Sequence, residues 1–166
     1  MNIFGFPNAP NEPANLGIRD IRFALEWLRD NVASFGGDPS RIVLGGQSAG
    51  SDAAHAMMYT HADGPIVAGL ILQSGVAQYI GEGDGSEWTR ITSAVGCAED
   101  DLPCMRNIPA LDLRRAISND TFNQFSTPSG GTPVVDNHTH LLTKDYMQRG
   151  AEGRFARVVS LWHLKN

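Results

Sequence analysis

One pentapeptide carries most of the chemistry this sequence offers. Gly46-Gln47-Ser48-Ala49-Gly50 has the form G-x-S-x-G, in which a serine sits at a sharp turn from a strand into a helix. Strained backbone there thrusts the serine Oγ out of the sheet, and small residues two places to either side let the turn close. The following helix aims its N-terminal N–H groups and the positive end of its dipole at the hydroxyl. Ser48 is therefore a candidate nucleophile for acyl transfer, and the Ala49 N–H a candidate donor to the oxyanion of a tetrahedral intermediate. Gly46, Gln47 and Gly50 support the turn. A chain with 18 glycines produces such matches by accident, so a solvated serine in a glycine turn is the alternative. The setting must decide between them.

The setting fits. Ile18, Ile21, Leu25, Leu28, Val32 and Phe35 recur at three- and four-residue steps among charged residues, which predicts an amphipathic helix with Trp27 beside its apolar stripe. Gly36 and Gly37 end it, and Asp38-Pro39-Ser40 make a turn. Residues 41–45 read as a buried strand leading into the pentapeptide, and residues 51–60, rich in Ala and Met, as a helix leaving it. A second buried strand spans 69–73 and ends at Ser74 and Gly75. Helix, strand, helix, strand spells an α/β domain with a parallel sheet. Beyond Gly75 the pattern thins. It predicts short helices at 87–95, 111–117 and 141–149, brief strands at 133–135 and 158–162, and loops at 81–85 and 127–133. The proline-rich first fourteen residues read as an irregular loop.

The blocks Asn15-Leu-Gly-Ile-Arg-Asp20, Ala24-Leu-Glu-Trp27, Phe35-Gly-Gly-Asp-Pro39, Gly46-Gln-Ser-Ala-Gly50 and Leu72-Gln-Ser-Gly75 resemble, in order and spacing, the type B carboxylesterases, the cholinesterase-like branch of the α/β-hydrolases. The opening Asn2-Ile-Phe-Gly-Phe6 is similar to fungal members in particular. The resemblance runs from residue 2 to about 75, and more thinly through 97–109 and 133–158. It implies that residues 1–166 form a partial type B carboxylesterase domain. Its fold would be an incomplete α/β-hydrolase, part of a mostly parallel sheet with flanking helices, with the nucleophile region at 15–75 and a less defined remainder at 76–166. Ser48 would be the acyl-accepting serine of a carboxylic ester hydrolase, and Ala49 one oxyanion donor. Cys97 and Cys104 would match a small disulfide loop of the family, with two free thiols as the alternative. A small-molecule or lipid ester would be the substrate of a full-length parent, and no metal or organic cofactor is implied.

This chain also departs from the family. The triad of α/β-hydrolases runs serine, acid, histidine in chain order, and no position here matches the family's acid or histidine. The segment expected after the strand at 158–162 is replaced by His163-Leu-Lys-Asn166, and the glycine-rich oxyanion loop is not found. The chain therefore reads as an internal slice of a longer enzyme, with little or no turnover alone. His55 and His61 lie in or just after the helix running away from Ser48, which suits packing or surface roles. His163 follows the triad order, with Asp136, Asp145 and Glu152 before it, but stands in the non-matching tail. A non-catalytic cholinesterase-like binding module, or an inert truncated product, is the rival reading. His138-Thr-His140 after a short apolar run also has the form of a paired metal site. The barrel that uses it needs a long alternating chain beyond, so a loop is the better reading.

Composition sets the outer bounds. In 166 residues, 42% are apolar and 19% charged, enough for a core and unlike disordered or collagenous chains. The net charge is −5, and with no basic run this argues against nucleic acid or an anionic membrane as partner. No stretch approaches the roughly 18 consecutive apolar residues of a membrane span. Met1 is not followed by a secretory leader, yet the cysteine pair and the Asn-x-Thr sequons at Asn119 and Asn137 suit an oxidising compartment, so a secreted parent is expected. Uncovered edges of a partial sheet are open to self-association. Gln78, Tyr79 and Trp88 are pocket candidates that no motif assigns.

Overall fold

The computed structural model describes residues 3–77, 83, 86–118 and 133–163, with backbone alone at 118 and 163. Gln78, Tyr79, Asn119 and the loop at 127–132 lie outside the described residues. In chain order the elements are α1 (Leu16–Asn31), β1 (Val43–Gln47), α2 (Ala49–Thr60), β2 (Gly69–Gln73), α3 (Ser86–Val95), α4 (Leu102–Asn107), α5 (Ala110–Ser118), α6 (Thr143–Ala151) and β3 (Val159–His163). They divide into two compact units. One comprises Met1–Gly17 with Gly81–Val134, the other Ile18–Ile80 with Val135–Asn166.

The second unit holds the sheet. Its strands lie in the order β1-β2-β3, all parallel, as the alternation of helix and strand predicts. Gln47 pairs with Gln73, and Gln73 with His163, so the three strands end level. Leu70 and Leu72 of β2 are buried against Ala54 of α2. The Ala- and Met-rich α2 suits this place, because strong helix formers with small side chains allow close approach to the sheet. A second cluster joins Ala56 and Tyr59 of α2 to Ala77, Leu141 and Tyr146. Together these fix α2, and hence the residue that precedes it.

The predicted first helix differs from the observed one in its last turn. α1 stops at Asn31, and Val32–Phe35 continue as a tighter 3₁₀ turn closed by Gly36 at φ 80°. Ile18 and Leu25 are buried, whereas Leu28 is 37% exposed and Phe35 77%. The apolar stripe is thus covered only over its N-terminal half by the described residues. β1 begins later than predicted because Arg41 belongs to a 3₁₀ turn, Pro39–Arg41. There Asp38 accepts hydrogen bonds from the Ser40 N–H and the Arg41 guanidinium, both at 2.8 Å.

The first unit packs Ile3, Ala9, Trp88, Ile91, Cys97, Met105 and Ala116 into one core. The proline-rich opening segment is therefore anchored, not loose. Asn15, fully buried at φ 56°, clamps Val134 in both directions. Its Nδ2 donates to the Val134 carbonyl at 2.7 Å, and its Oδ1 accepts the Val134 N–H at 2.8 Å. The strand predicted at 133–135 is a single parallel bridge from Val134 to Gly83. α4 has no counterpart in the periodicity analysis, being six residues long. Its signals are local, with Asp101 accepting the Cys104 N–H at 2.9 Å and Pro103 in the first turn. Cys97 and Cys104 form a disulfide, with Cα atoms 5.9 Å apart. Closing so short a loop restricts the unfolded chain by roughly 2–3 kcal/mol.

Candidate active site

β1 runs into Ser48, and α2 begins at the next residue. Ser48 has φ 51° and ψ −124°, a region that L-residues occupy only when surroundings force them, at about 1–3 kcal/mol. Three sets of bonds do so. The Ser48 N–H donates to the Gln73 carbonyl at 2.9 Å, tying the turn to the end of β2. The Ser48 carbonyl accepts the N–H groups of Ser51 and Asp52 at 2.8 and 3.0 Å. Ser51 Oγ, wholly buried, donates to the Gly75 carbonyl at 2.7 Å.

Two glycines make room for this turn. A Cβ on Gly46 would stand 2.2 Å from the Gly50 carbonyl oxygen and 2.6 Å from Ser51 N. One on Gly75 would stand 2.5 Å from the Ser48 carbonyl oxygen and 2.6 Å from Asp52 Oδ1. Gly50 differs, since a Cβ there meets no described atom within 4 Å. Steric need thus falls on Gly46 and Gly75, while Gly50 lends its backbone as the surface against which Gly46 packs.

The outcome is a serine that is exposed and whose side chain makes no cap hydrogen bond to its own helix. Ala49, at the first helical position, has no intrahelical acceptor for its N–H. Gln47, also exposed, sits at the end of β1 opposite Gln73. A hydroxyl, a first-turn N–H with no acceptor among the described residues and a helix N-terminus therefore meet at the carboxyl end of a parallel sheet, the place where α/β folds bind ligands.

The histidines lie elsewhere. His55 is 1% exposed. Its Nδ1 accepts the Ala77 N–H at 3.0 Å, and its ring meets Tyr59 and Trp162 edge-on at 5.1 and 5.0 Å. It packs, as the helix direction predicts. His61 Nδ1 lies 2.9 Å from Thr60 Oγ1. His138 is exposed and His140 buried, with His140 Nδ1 3.0 Å from the Tyr146 hydroxyl, so the two imidazoles do not share a direction. Asp136 is engaged in its own turn, and Glu152 pairs with Arg154 and Gln148. The backbone of His163 is level with Gln47, across β2. Among the described residues no imidazole or carboxylate is hydrogen-bonded to Ser48 Oγ. Trp88, a pocket candidate by sequence, is buried and donates its Nε1–H to the Glu99 carbonyl at 2.8 Å. A cleft of about 610 Å³ opens between Met58, Tyr59, Met147, Phe155 and Trp162, and no residue of the pentapeptide lines it.

Behind the serine, α2 carries two titratable groups with opposite shifts. Burial pushes the Asp52 carboxyl up to about 6, against a bond from the Val76 N–H, and its Oδ1 has no hydrogen-bond partner among the described residues. Burial pushes His55 down to about 4. A raised carboxyl favours the fold at low pH, and that contribution is lost as pH rises from 3.8 through about 6. A lowered imidazole favours it at high pH, and that contribution is lost as pH falls from 6.5 through about 4. Between these limits the folded pair holds its proton on Asp52 and the unfolded pair on His55, so their slopes cancel. Asp52→Asn is expected to make stability, relative to the unaltered chain, rise with pH by up to about 1.4 kcal/mol per unit across this window. His55→Gln is expected to make it fall. Denaturant titrations from pH 4 to 6.5 check this, and two variants with parallel profiles would contradict it. Sequence alone gave no sign of Asp52 beyond a charge in an otherwise Ala- and Met-rich helix, and the roles of Ser51 and Gly75 follow from the approach of β2.

Comparison with known proteins gives the family and the fold. Residues 1–158 match the model of the carboxylesterase family. The chain is 41% identical to a chlorogenic acid esterase of Aspergillus niger, over 95% of this chain and 31% of that protein. It is 35% identical to secreted lipase 5 of Gibberella zeae, over 90% of this chain and 30% of that one. Juvenile hormone esterase from Manduca sexta, solved with OTFP covalently attached, superimposes with a TM-score of 0.76 at 26% identity, over 96% of this chain and 33% of that structure. The chain thus spans about a third of the length of the relatives it matches. Its parallel sheet with flanking helices is part of an α/β-hydrolase fold, and the chain belongs to the carboxylesterase family.

Proposed function

We propose that residues 1–166 are the nucleophile-bearing part of a single esterase domain, and that the whole protein hydrolyses carboxylic esters through an acyl-enzyme on Ser48. The observation that carries this reading is the strained, exposed Ser48 at the N-terminus of α2. Its Oγ attacks the ester carbonyl carbon, the Ala49 N–H donates to the oxyanion, and the alcohol leaves with a proton. Water then attacks the acyl-serine and releases the acid. The covalent attachment of OTFP named for the Manduca sexta enzyme supports covalent capture in this fold, and the esterase and lipase relatives support a small-molecule or lipid ester as substrate. The secreted relative and the disulfide support an extracellular whole protein. Val43 of β1 and Val159 and Leu161 of β3 are exposed on the outer strands, which supports self-association of this chain by itself.

A serine without a base is a poor nucleophile at neutral pH. The isolated chain is therefore expected to hydrolyse p-nitrophenyl acetate and butyrate no faster than its Ser48→Ala variant or buffer. Turnover that depends on Ser48 would show that the chain supplies its own base, with His163→Ala as the next variant. Labelling of Ser48 in the whole protein by a fluorophosphonate separates an esterase from a non-catalytic binding module, which would not react.

A further inference from the structure

The sequon Asn137-His138-Thr139 lies in the turn between Val134 and α6, with its asparagine exposed. Asn137 is exposed at φ 58°, a left-handed conformation that asparagine tolerates better than most residues. Its side chain makes no hydrogen bond to a described residue. The Asp136 carboxylate holds the backbone that follows it. The Oδ1 of Asp136 accepts the N–H groups of His138, Thr139 and His140 at 2.9, 2.7 and 3.0 Å. The Oδ2 accepts the Thr139 hydroxyl at 2.8 Å and faces the Arg19 guanidinium at 3.5 Å. The N–H of Asn137 closes the turn onto the His140 carbonyl at 3.1 Å. A substituent on Asn137 Nδ2 therefore projects into solvent and displaces none of these bonds. The Cys97–Cys104 disulfide is independent support, because such bonds form in the compartment where N-glycosylation occurs.

We infer that Asn137 is an N-glycosylation site, resting on the secretory reading above. The Nδ2 of Asn137 attacks the anomeric carbon of a polyprenyl-diphosphate-linked oligosaccharide. The C–N bond forms, the bond from that carbon to the diphosphate oxygen breaks, the amide loses a proton, and the lipid diphosphate leaves. Thr139, which the acceptor motif requires, is only 5% exposed in the folded turn, with its hydroxyl committed to Asp136. Transfer thus occurs on the extended nascent chain, and the turn closes beneath the sugar afterwards.

The test is translation of the full chain behind a cleavable leader in the presence of microsomes, scoring only protease-protected product. The Asn119→Gln background removes the other sequon. One glycan, reversed by peptide-N-glycosidase with conversion of residue 137 to aspartate in heavy-oxygen water, is the expected result. The glycan is lost in Asn137→Gly, a variant suited to the positive φ. Protected chain with no sugar at position 137 would overturn the inference. Because the leader supplies the address, that failure would leave the secretory reading untouched. Recovery of the natural whole protein from the cytosol with free thiols would overturn the secretory reading without changing this result.

Discussion

Gly46→Ala is expected to destabilise the chain by about 3 kcal/mol, the upper end for overpacking, whereas Gly50→Ala should leave it as stable or slightly more so. Both glycines belong to the same pentapeptide, and a motif-level reading would treat them alike. Their surroundings do not. The added methyl at Gly46 would meet backbone, the Gly50 carbonyl oxygen at 2.2 Å and Ser51 N at 2.6 Å. Backbone cannot swing aside as a long side chain can, so relief requires β1 and the first turn of α2 to separate. That separation breaks the bonds holding the Ser48 carbonyl to Ser51 and Asp52. At Gly50 the methyl meets open space among the described residues, and alanine is the better helix former. Urea denaturation of the two variants checks this. A shift of the Gly46→Ala midpoint by about 1 M or more, with little change for Gly50→Ala, is the expected outcome. Similar midpoints for both would mean that the turn is not packed as described.

The same contrast shows how far sequence could reach. β2 was legible in full, since a short apolar run between Gly69 and Ser74-Gly75 has few other uses. The existence of α1, β1 and α2 was legible too, because hydrophobic period and glycine punctuation are local signals. The ends were less so. Phe35 continues the apolar spacing, but Gly36 tightens the last turn into a 3₁₀ helix. α4 escaped periodicity because six residues make too few turns to show a period. Contacts between distant parts of the chain left no local trace. The clamp from Asn15 to Val134 and the Trp162 ring against His55 are of this kind. The upward shift of Asp52 is another, since its cause is burial beside Gly75 and Val76.

For the candidate site, the pentapeptide nominates Ser48 and Ala49 because that chemistry is written in adjacent residues. It could not identify what holds the strained serine in place. That work falls to Gln73, Ser51 and Gly75, brought in by β2 and the first turn of α2. Sequence also separated the histidines correctly in kind. His55 and His61 were expected to pack or sit at the surface, and His55 proves wholly buried, its ring bonded to the Ala77 N–H. The pair at His138 and His140 resembles a metal-ligand spacing only while the segment is imagined extended. The turn built on Asp136 sends one ring outward and the other inward.

The most direct test of the central claim is to seat this chain in place of the matching third of the Aspergillus niger chlorogenic acid esterase, so that the remainder of the domain comes from a relative. The folded chimera is expected to hydrolyse p-nitrophenyl butyrate and to take one fluorophosphonate at Ser48. Ser48→Ala should abolish labelling there and lower kcat by roughly 10⁴–10⁶-fold, as removal of a serine nucleophile does elsewhere, with an unchanged circular dichroism spectrum. A folded chimera that hydrolyses the ester equally well with alanine at position 48, or one that is labelled at another residue, would contradict the account.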